Sequence, residues 1–147
     1  MLDDYQDLID ELTGTPTTLR DLLGNPVPDD VSPEVRALLA ELCSREAVEV
    51  RRVQAVMRER KARLRPIGYE PEMRAVQEVE GTPEELITRF NHDRSELISL
   101  LVNLTLRDWD QAVDHEEKGE ISLSAEIDDH LTWDEDMVER LEAAVKA

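Results

Sequence analysis

The sequence holds one cysteine, Cys43, and no long apolar run. A lone cysteine cannot close an intrachain disulfide, so nothing points to an oxidising compartment. No stretch approaches the roughly 20 apolar residues of a membrane span. The leading MLDDYQDL carries acids where a secretion signal needs basic residues and an apolar core. The expected location is therefore cytoplasmic. Aromatic residues make up only 3% of the chain, while the 40% that is hydrophobic is mostly Leu and Val. That balance suits helices packed through aliphatic ridges better than stacked sheets. Five scattered glycines cannot build a phosphate-cradling loop or a dinucleotide fingerprint, and no Ser-His-Asp elbow occurs. Positive charge is scarce as well: 17 Lys and Arg stand against 35 Asp and Glu, a formal charge of -18. Such a surface repels nucleic-acid phosphates and anionic lipids, which excludes both as expected partners.

What is present fits one domain over residues 1–147, large enough to bury a core. Leu8, Ile9 and Leu12 start a first helix that Gly14, Thr15 and Pro16 should break or kink, with a further turn over Leu19–Leu23 before the loop from Pro26 to Pro28. Ser32 followed by Pro33 opens a second helix running to about Leu64. Its seam reads Val35, Leu38, Leu42, Val50, Val53 and Met57, and Arg51, Arg52, Arg58, Arg60, Lys61 and Arg63 should stay solvated. Two prolines and a glycine between Arg65 and Met73 mark a crossover loop, followed by one short helix. Thr82, Pro83 and Glu85 form a capping box that opens the third helix. Leu86, Phe90, Leu97, Leu101 and Leu104 are its seam, interrupted at Asp93 and Arg94. A short helical turn from Leu106 to Ala112 should pack Trp109 inward, and HEEKGE is a turn. Ser122 caps a fourth main helix with the seam Leu123, Ile127, Leu131, Asp134, Val138, Leu141 and Val145. The expected fold is all-α, a four-helix bundle with a crossover loop after the second helix and short extra helical turns.

Polar residues that interrupt two apolar seams raise the question of chemistry. A histidine-only metal site is excluded, because His92, His115 and His130 are not spaced to share an ion. A mixed site drawing on Glu41, Glu46, His130 and Asp134 competes with ion pairing of those carboxylates to Arg45 and Arg94, and ion pairing is favoured. Cys43, beside Leu42, reads as a small core residue rather than a nucleophile. Trp133 and Met137, one turn apart, read as packing residues that can also line a cavity or a dimer face.

The order of parts resembles the DinB-like superfamily of bacterial bundles, which includes thiol-dependent transferases related to the mycothiol and bacillithiol enzymes. The resemblance spans nearly the whole chain. It is carried by TPTTLRDLL, SPEVRALLAELCSRE, YEPEM, FNHDRSELISLL and above all WDQAVDHEEKGEISLSAEIDDHLTWDED. Counted from Gly119 and Leu123, it implies that the family's two fourth-helix metal histidines fall on Trp133 and Met137, with its aspartate kept as Asp134. Its third histidine falls on Glu41, five residues before a glutamate that matches Glu46. An indole ligates no divalent ion and a thioether ligates it poorly, so the resemblance implies a degenerate metal site and no metal cofactor. A frame shifted by one residue brings His130 nearer the site but breaks both the match of Asp134 and the apolar seam of the fourth helix, so the unshifted frame is kept. The family's arginine matches Arg94, so Arg94 and Asp134, with Glu41, Arg45 or Glu46, are expected to form a buried ion network where relatives hold a metal. The expected function is a metal-free, non-catalytic binding or structural scaffold, able to form a homodimer or to take a small molecule in the bundle pocket. The alternative is a metal-dependent thiol S-transferase whose divalent ion is held by Glu41, His130 and Asp134. A third class is an acidic regulator that blocks a basic partner through the carboxylates from Asp108 to Glu142.

Overall fold

A computed structural model of the chain describes residues 2–59, 62–65 and 80–147. Its four long helices are α1 (Leu2–Leu23), α2 (Pro33–Arg58), α3 (Pro83–Val102) and α5 (Leu123–Lys146). The short helix α4 (Leu106–Trp109) and three short strands, β1 (Arg63–Leu64), β2 (Ala112–His115) and β3 (Gly119–Ser122), complete the described elements. The fold is all-α in its framework, as the periodicity predicts. No described helix is long and apolar enough to cross a membrane.

Among the described residues the core forms two apolar clusters. One gathers Leu19, Leu23, Leu38, Leu42, Leu86, Phe90, Met137 and Leu141; the other gathers Leu12, Val53, Val56, Leu97, Leu101, Leu123 and Ile127. Residue numbers rise from the second cluster to the first along α1 and α5, and fall along α2 and α3. Hence α1 runs parallel to α5, α2 runs parallel to α3, and the two pairs are antiparallel to each other. The expected crossover loop from Arg65 to Met73 and the short helix after it lie outside the described residues, apart from Arg65.

Local chemistry explains most element ends. Ser32 and Thr82 accept from the backbone N–H groups of Val35 and Glu85, and the Thr82 capping box is complete. Ser122 caps α5 in the same way through Ala125. The expected break at Gly14–Pro16 does not occur: α1 is one helix with Pro16 inside it. A proline lacks the N–H that would bond the carbonyl four residues back. Here the free carbonyl of Leu12 accepts instead from Arg94 Nη1 at 2.8 Å, so the helix continues without an orphaned acceptor.

The expected second helix is also too long, because α2 stops at Arg58. The Gln111 side-chain amide caps it, donating to the carbonyls of Val56 and Glu59 at 2.9 and 3.3 Å. Beyond it β1 pairs in parallel with β2, and β2 pairs antiparallel with β3. This sheet has no sequence signature of its own, since strands of two and four residues are too short for a period-2 pattern. HEEKGE is the hairpin turn, and His115 Nδ1 holds it by accepting from the backbone of Glu117 and Lys118 at 3.1 Å. Trp109 is buried, as expected. Met57 and Val145, read as seam residues, are 42% and 44% exposed, because Val56 and Ala144 take the inward positions one residue earlier. Arg52 departs furthest from expectation, being 5% exposed rather than solvated.

A methyl group added to Gly14 meets nothing within 4 Å. Gly14→Ala should therefore stabilise α1 by about 0.5–1 kcal/mol, because alanine loses less backbone entropy on folding than glycine. A denaturant melt checks this, and a loss of stability would mean that the glycine is needed for its backbone.

Candidate functional site

Between the two apolar clusters lies a layer of buried ionic side chains. In α2, Glu46 and Glu49 occupy inward positions between Leu42 and Val53, in a 4-3-4 spacing that keeps all four residues on one face. In α5, Glu126, His130 and Asp134 step by four along one stripe. Arg94 enters from α3, and α1 supplies Thr15 and the Leu12 carbonyl.

Arg94 is the hub. Its Nε and Nη2 donate to Glu46 Oε2 and Oε1, both at 2.7 Å. Nη1 and Nη2 donate to Asp134 Oδ2 and Oδ1, both at 2.8 Å. Nη1 also reaches the Leu12 carbonyl. All five guanidinium hydrogens thus have acceptors, in two bidentate forks. Thr15 Oγ1 donates to Asp134 Oδ2 at 2.8 Å. His130 Nε2 lies 2.8 Å from Glu46 Oε1, and the ionised carboxylate assigns the ring proton to Nε2. Arg94, Glu46, His130 and Asp134 are each at most 1% exposed. Burial alone would raise the Glu46 carboxyl, but the adjacent guanidinium outweighs it, with help from His130, and holds Glu46 down at about 2. The same carboxylates keep Arg94 charged, with its own value raised.

A second tier lies one turn along. Arg52 Nε and Nη2 donate to Glu126 Oε2 and Oε1, both at 3.0 Å, and Nη1 reaches the Arg65 carbonyl at 2.5 Å. Burial works to raise Glu126, yet the Arg52 bonds leave it lowered. Glu49 has the opposite fate. It is fully buried, its Oε2 stands 3.8 Å from both Arg52 Nε and His130 Nδ1, and neither of its oxygens accepts a hydrogen bond from a nitrogen donor. Burial, then the facing Glu126, push its carboxyl well up. His130 Nδ1 and Arg45 Nε are likewise buried without a hydrogen-bond partner.

Of the residues singled out from sequence, the structure brings together Arg94, Asp134, Glu46 and His130. Arg45 stands outside the hub: its guanidinium lies over the Trp133 ring at 4.4 Å, and Trp133 in turn stacks on His130 with centroids 6.1 Å apart. Glu41 does not reach the layer, because five residues turn a helix by about 140° from the face of Glu46. It sits on the rim, 3.8 Å from Arg140. Met137 is buried in the apolar cluster with its sulfur accepting from Arg140 Nη1 at 3.4 Å. The set Glu41, His130 and Asp134 is therefore not assembled, Glu46 standing where Glu41 was expected. Cys43 is a buried core residue, its thiol pushed up by burial. Glu49, Arg52, Glu126 and Thr15 escaped sequence reading, although two glutamates within the apolar seam of α2 were a legible signal.

Two places bear on a metal. Glu41, Trp133 and Met137 offer one rim carboxylate, an indole and a thioether already engaged, which fits no divalent ion. Glu46, His130 and Asp134 have ligand-type atoms within 4.8 Å of one another. There, however, both carboxylates are neutralised bidentately by Arg94, and an added cation would face the guanidinium. The residues present do not fit a metal.

Replacing Asp134 with alanine should leave Arg94 buried and half-paired, costing about 3–5 kcal/mol. Urea denaturation measures this, and a change below about 1 kcal/mol would show that the layer is not the energetic centre. The two buried glutamates should act oppositely with pH. Glu46, depressed from 4.5 to about 2, contributes stability above pH 4.5 that is lost as pH falls towards 2. Glu49, raised from 4.5, holds its proton in the folded state, so its contribution is full below pH 4.5 and drains as pH rises through the raised value. Glu49→Gln should match the parent near pH 4 and exceed it at pH 8, as read from denaturant midpoints across that range.

The sequence matches no protein-family model and no curated protein at a significant level. Among solved structures it is similar to YfiT from Bacillus subtilis, described as a probable metal-dependent hydrolase with an unusual four-helix bundle topology. The match has a TM-score of 0.82 at 16% identity and covers 99% of this chain and 88% of that one. At that identity the likeness speaks to the fold, and the fold of this chain is the four-helix bundle of the YfiT type.

Proposed function

We propose that this protein is a metal-free, non-catalytic binding scaffold built on the YfiT-type bundle. The observation that carries this reading is the saturated guanidinium of Arg94. In the middle of the helices, the position between Glu46 and Asp134 is already taken by a cation that uses all five donors. A buried arginine in two carboxylate forks has no exchangeable coordination site and no pKa near neutrality, so it offers neither a Lewis acid nor a proton-transfer group. What it offers is rigidity: one side chain ties α1, α2, α3 and α5 together, which suits a scaffold that presents its outer faces to a partner.

A second reading, a metal-dependent enzyme of the thiol S-transferase type, is favoured by the close approach of Glu46, His130 and Asp134. It requires an ion to displace Arg94 from both carboxylates. YfiT is described as a probable metal-dependent hydrolase, and metal-dependent chemistry of that kind belongs to this chain only on the second reading.

Elemental analysis of the purified protein, with thermal shifts in Zn2+, Ni2+ and Mn2+, separates the two. The scaffold reading expects no stoichiometric metal and no stabilisation, because binding to the folded state alone must raise its stability. Stoichiometric metal, or a metal-induced rise in the parent protein, would overturn the metal-free reading. In Arg94→Ala the same titration should turn positive, since the freed carboxylates and His130 are then open to an ion.

A further inference from the structure

The negative charge of this chain is not evenly spread. Helix α1 carries six carboxylates and one arginine, and α5 carries eight carboxylates against one arginine and one lysine; with Glu126 and Asp134 set aside as buried ion-pair partners, the two helices hold a formal -9 of the total -18. Helix α2 carries four carboxylates and five arginines, and α3 carries four and two. The acidic helices are the parallel pair, packed side by side through Thr15 and Asp134. Along their outer seam lie two cavities of about 310 and 470 Å3, both of which include Glu11. Together they extend from Tyr5 to Thr18 of α1, about 20 Å at 1.5 Å per residue.

The lining of this seam combines an apolar wall with acidic edges. Leu131 and Val138 form apolar wall, Gly14 leaves the floor open where a side chain would project, and Glu11, Asp128 and Glu135 stand at the edges. These three edge carboxylates are exposed and make no ion pair among the described residues. Resting on the scaffold reading above, we propose that the α1/α5 seam docks a basic amphipathic helix of a partner protein. The helix would span about 14 residues, with an apolar stripe on Leu131 and Val138 and Lys or Arg flanking it on both sides to meet the carboxylates. A second copy of this chain is the poorer occupant, because its own α1/α5 face repeats the same charge.

The test uses a fluorescein-labelled 15-residue helical peptide of Leu, Ala and Lys. Its lysines flank one leucine stripe, and an isomer of identical composition spreads them around the helix. Fluorescence anisotropy should show the patterned peptide binding at least about tenfold more tightly than the isomer, and weakening as salt rises. Gly14→Trp, which fills the groove, and the double variant Glu11→Gln/Glu135→Gln should each weaken binding about tenfold. Glu142→Gln, outside the seam, should leave it unchanged. The double variant removes only exposed charges, so it reads the groove even where the tryptophan disturbs the helix. Equal binding of the two peptides, binding indifferent to the double variant, or a dimer in sedimentation equilibrium that Gly14→Trp dissolves would each overturn the proposal. A protein that ignores the peptide and also ignores metals loses the groove partner but keeps the scaffold reading. One that binds the patterned peptide and also binds zinc keeps the partner and loses the scaffold reading.

Discussion

A guanidinium buried at the centre of a helix bundle needs five acceptors, and few places inside a protein supply them. Arg94 finds four on Glu46 and Asp134 and the fifth on a backbone carbonyl that Pro16 leaves free in α1. Every long helix thereby contributes to one hydrogen-bonded centre. The arrangement also accounts for the proline: a residue that ordinarily ends a helix is tolerated where its missing hydrogen bond is replaced from another helix. The apolar core is divided into two clusters because this layer lies between them.

The second tier shows what happens when the supply of cations runs short. Arg52 satisfies Glu126, while Glu49 is left with no nitrogen donor and faces Glu126, to which its own carboxyl hydrogen-bonds. A buried carboxyl in that position keeps its proton, and its neutrality lets two acids stand side by side without repulsion. The layer thus contains a glutamate held charged and, one turn away on the same helix, a glutamate held neutral. Their difference follows from which arginine each one faces, not from burial, which is complete for both.

Outside the core, charge is sorted by helix pair. Of the four long helices, the parallel pair α1 and α5 holds most of the negative charge, and α2 and α3 are near neutrality. This sorting is invisible in the net charge, which by itself suggests only a solubilising surface. It becomes a directional property once α1 and α5 lie side by side with a seam between them.

Composition, apolar periodicity and caps were enough to determine an all-α bundle of four main helices, the start of α2 at Ser32, the start of α3 at Thr82 and the start of α5 at Ser122. These are local signals, written within one or two helical turns. Arg94 and Asp134 were legible as breaks in their seams because a charge at an apolar position stands out against its own helix. The continuity of α1 through Pro16, the end of α2 at Arg58, the small sheet, the burial of Arg52 and the choice of Glu46 over Glu41 were decided only by tertiary structure. Each depends on a partner far away in sequence: Arg94 for Leu12, Gln111 for Val56, Asp114 for Ala62, Glu126 for Arg52 and His130 for Glu46. A hydrogen bond between distant residues leaves no periodic trace in either segment, so it can be read only after the chain has folded.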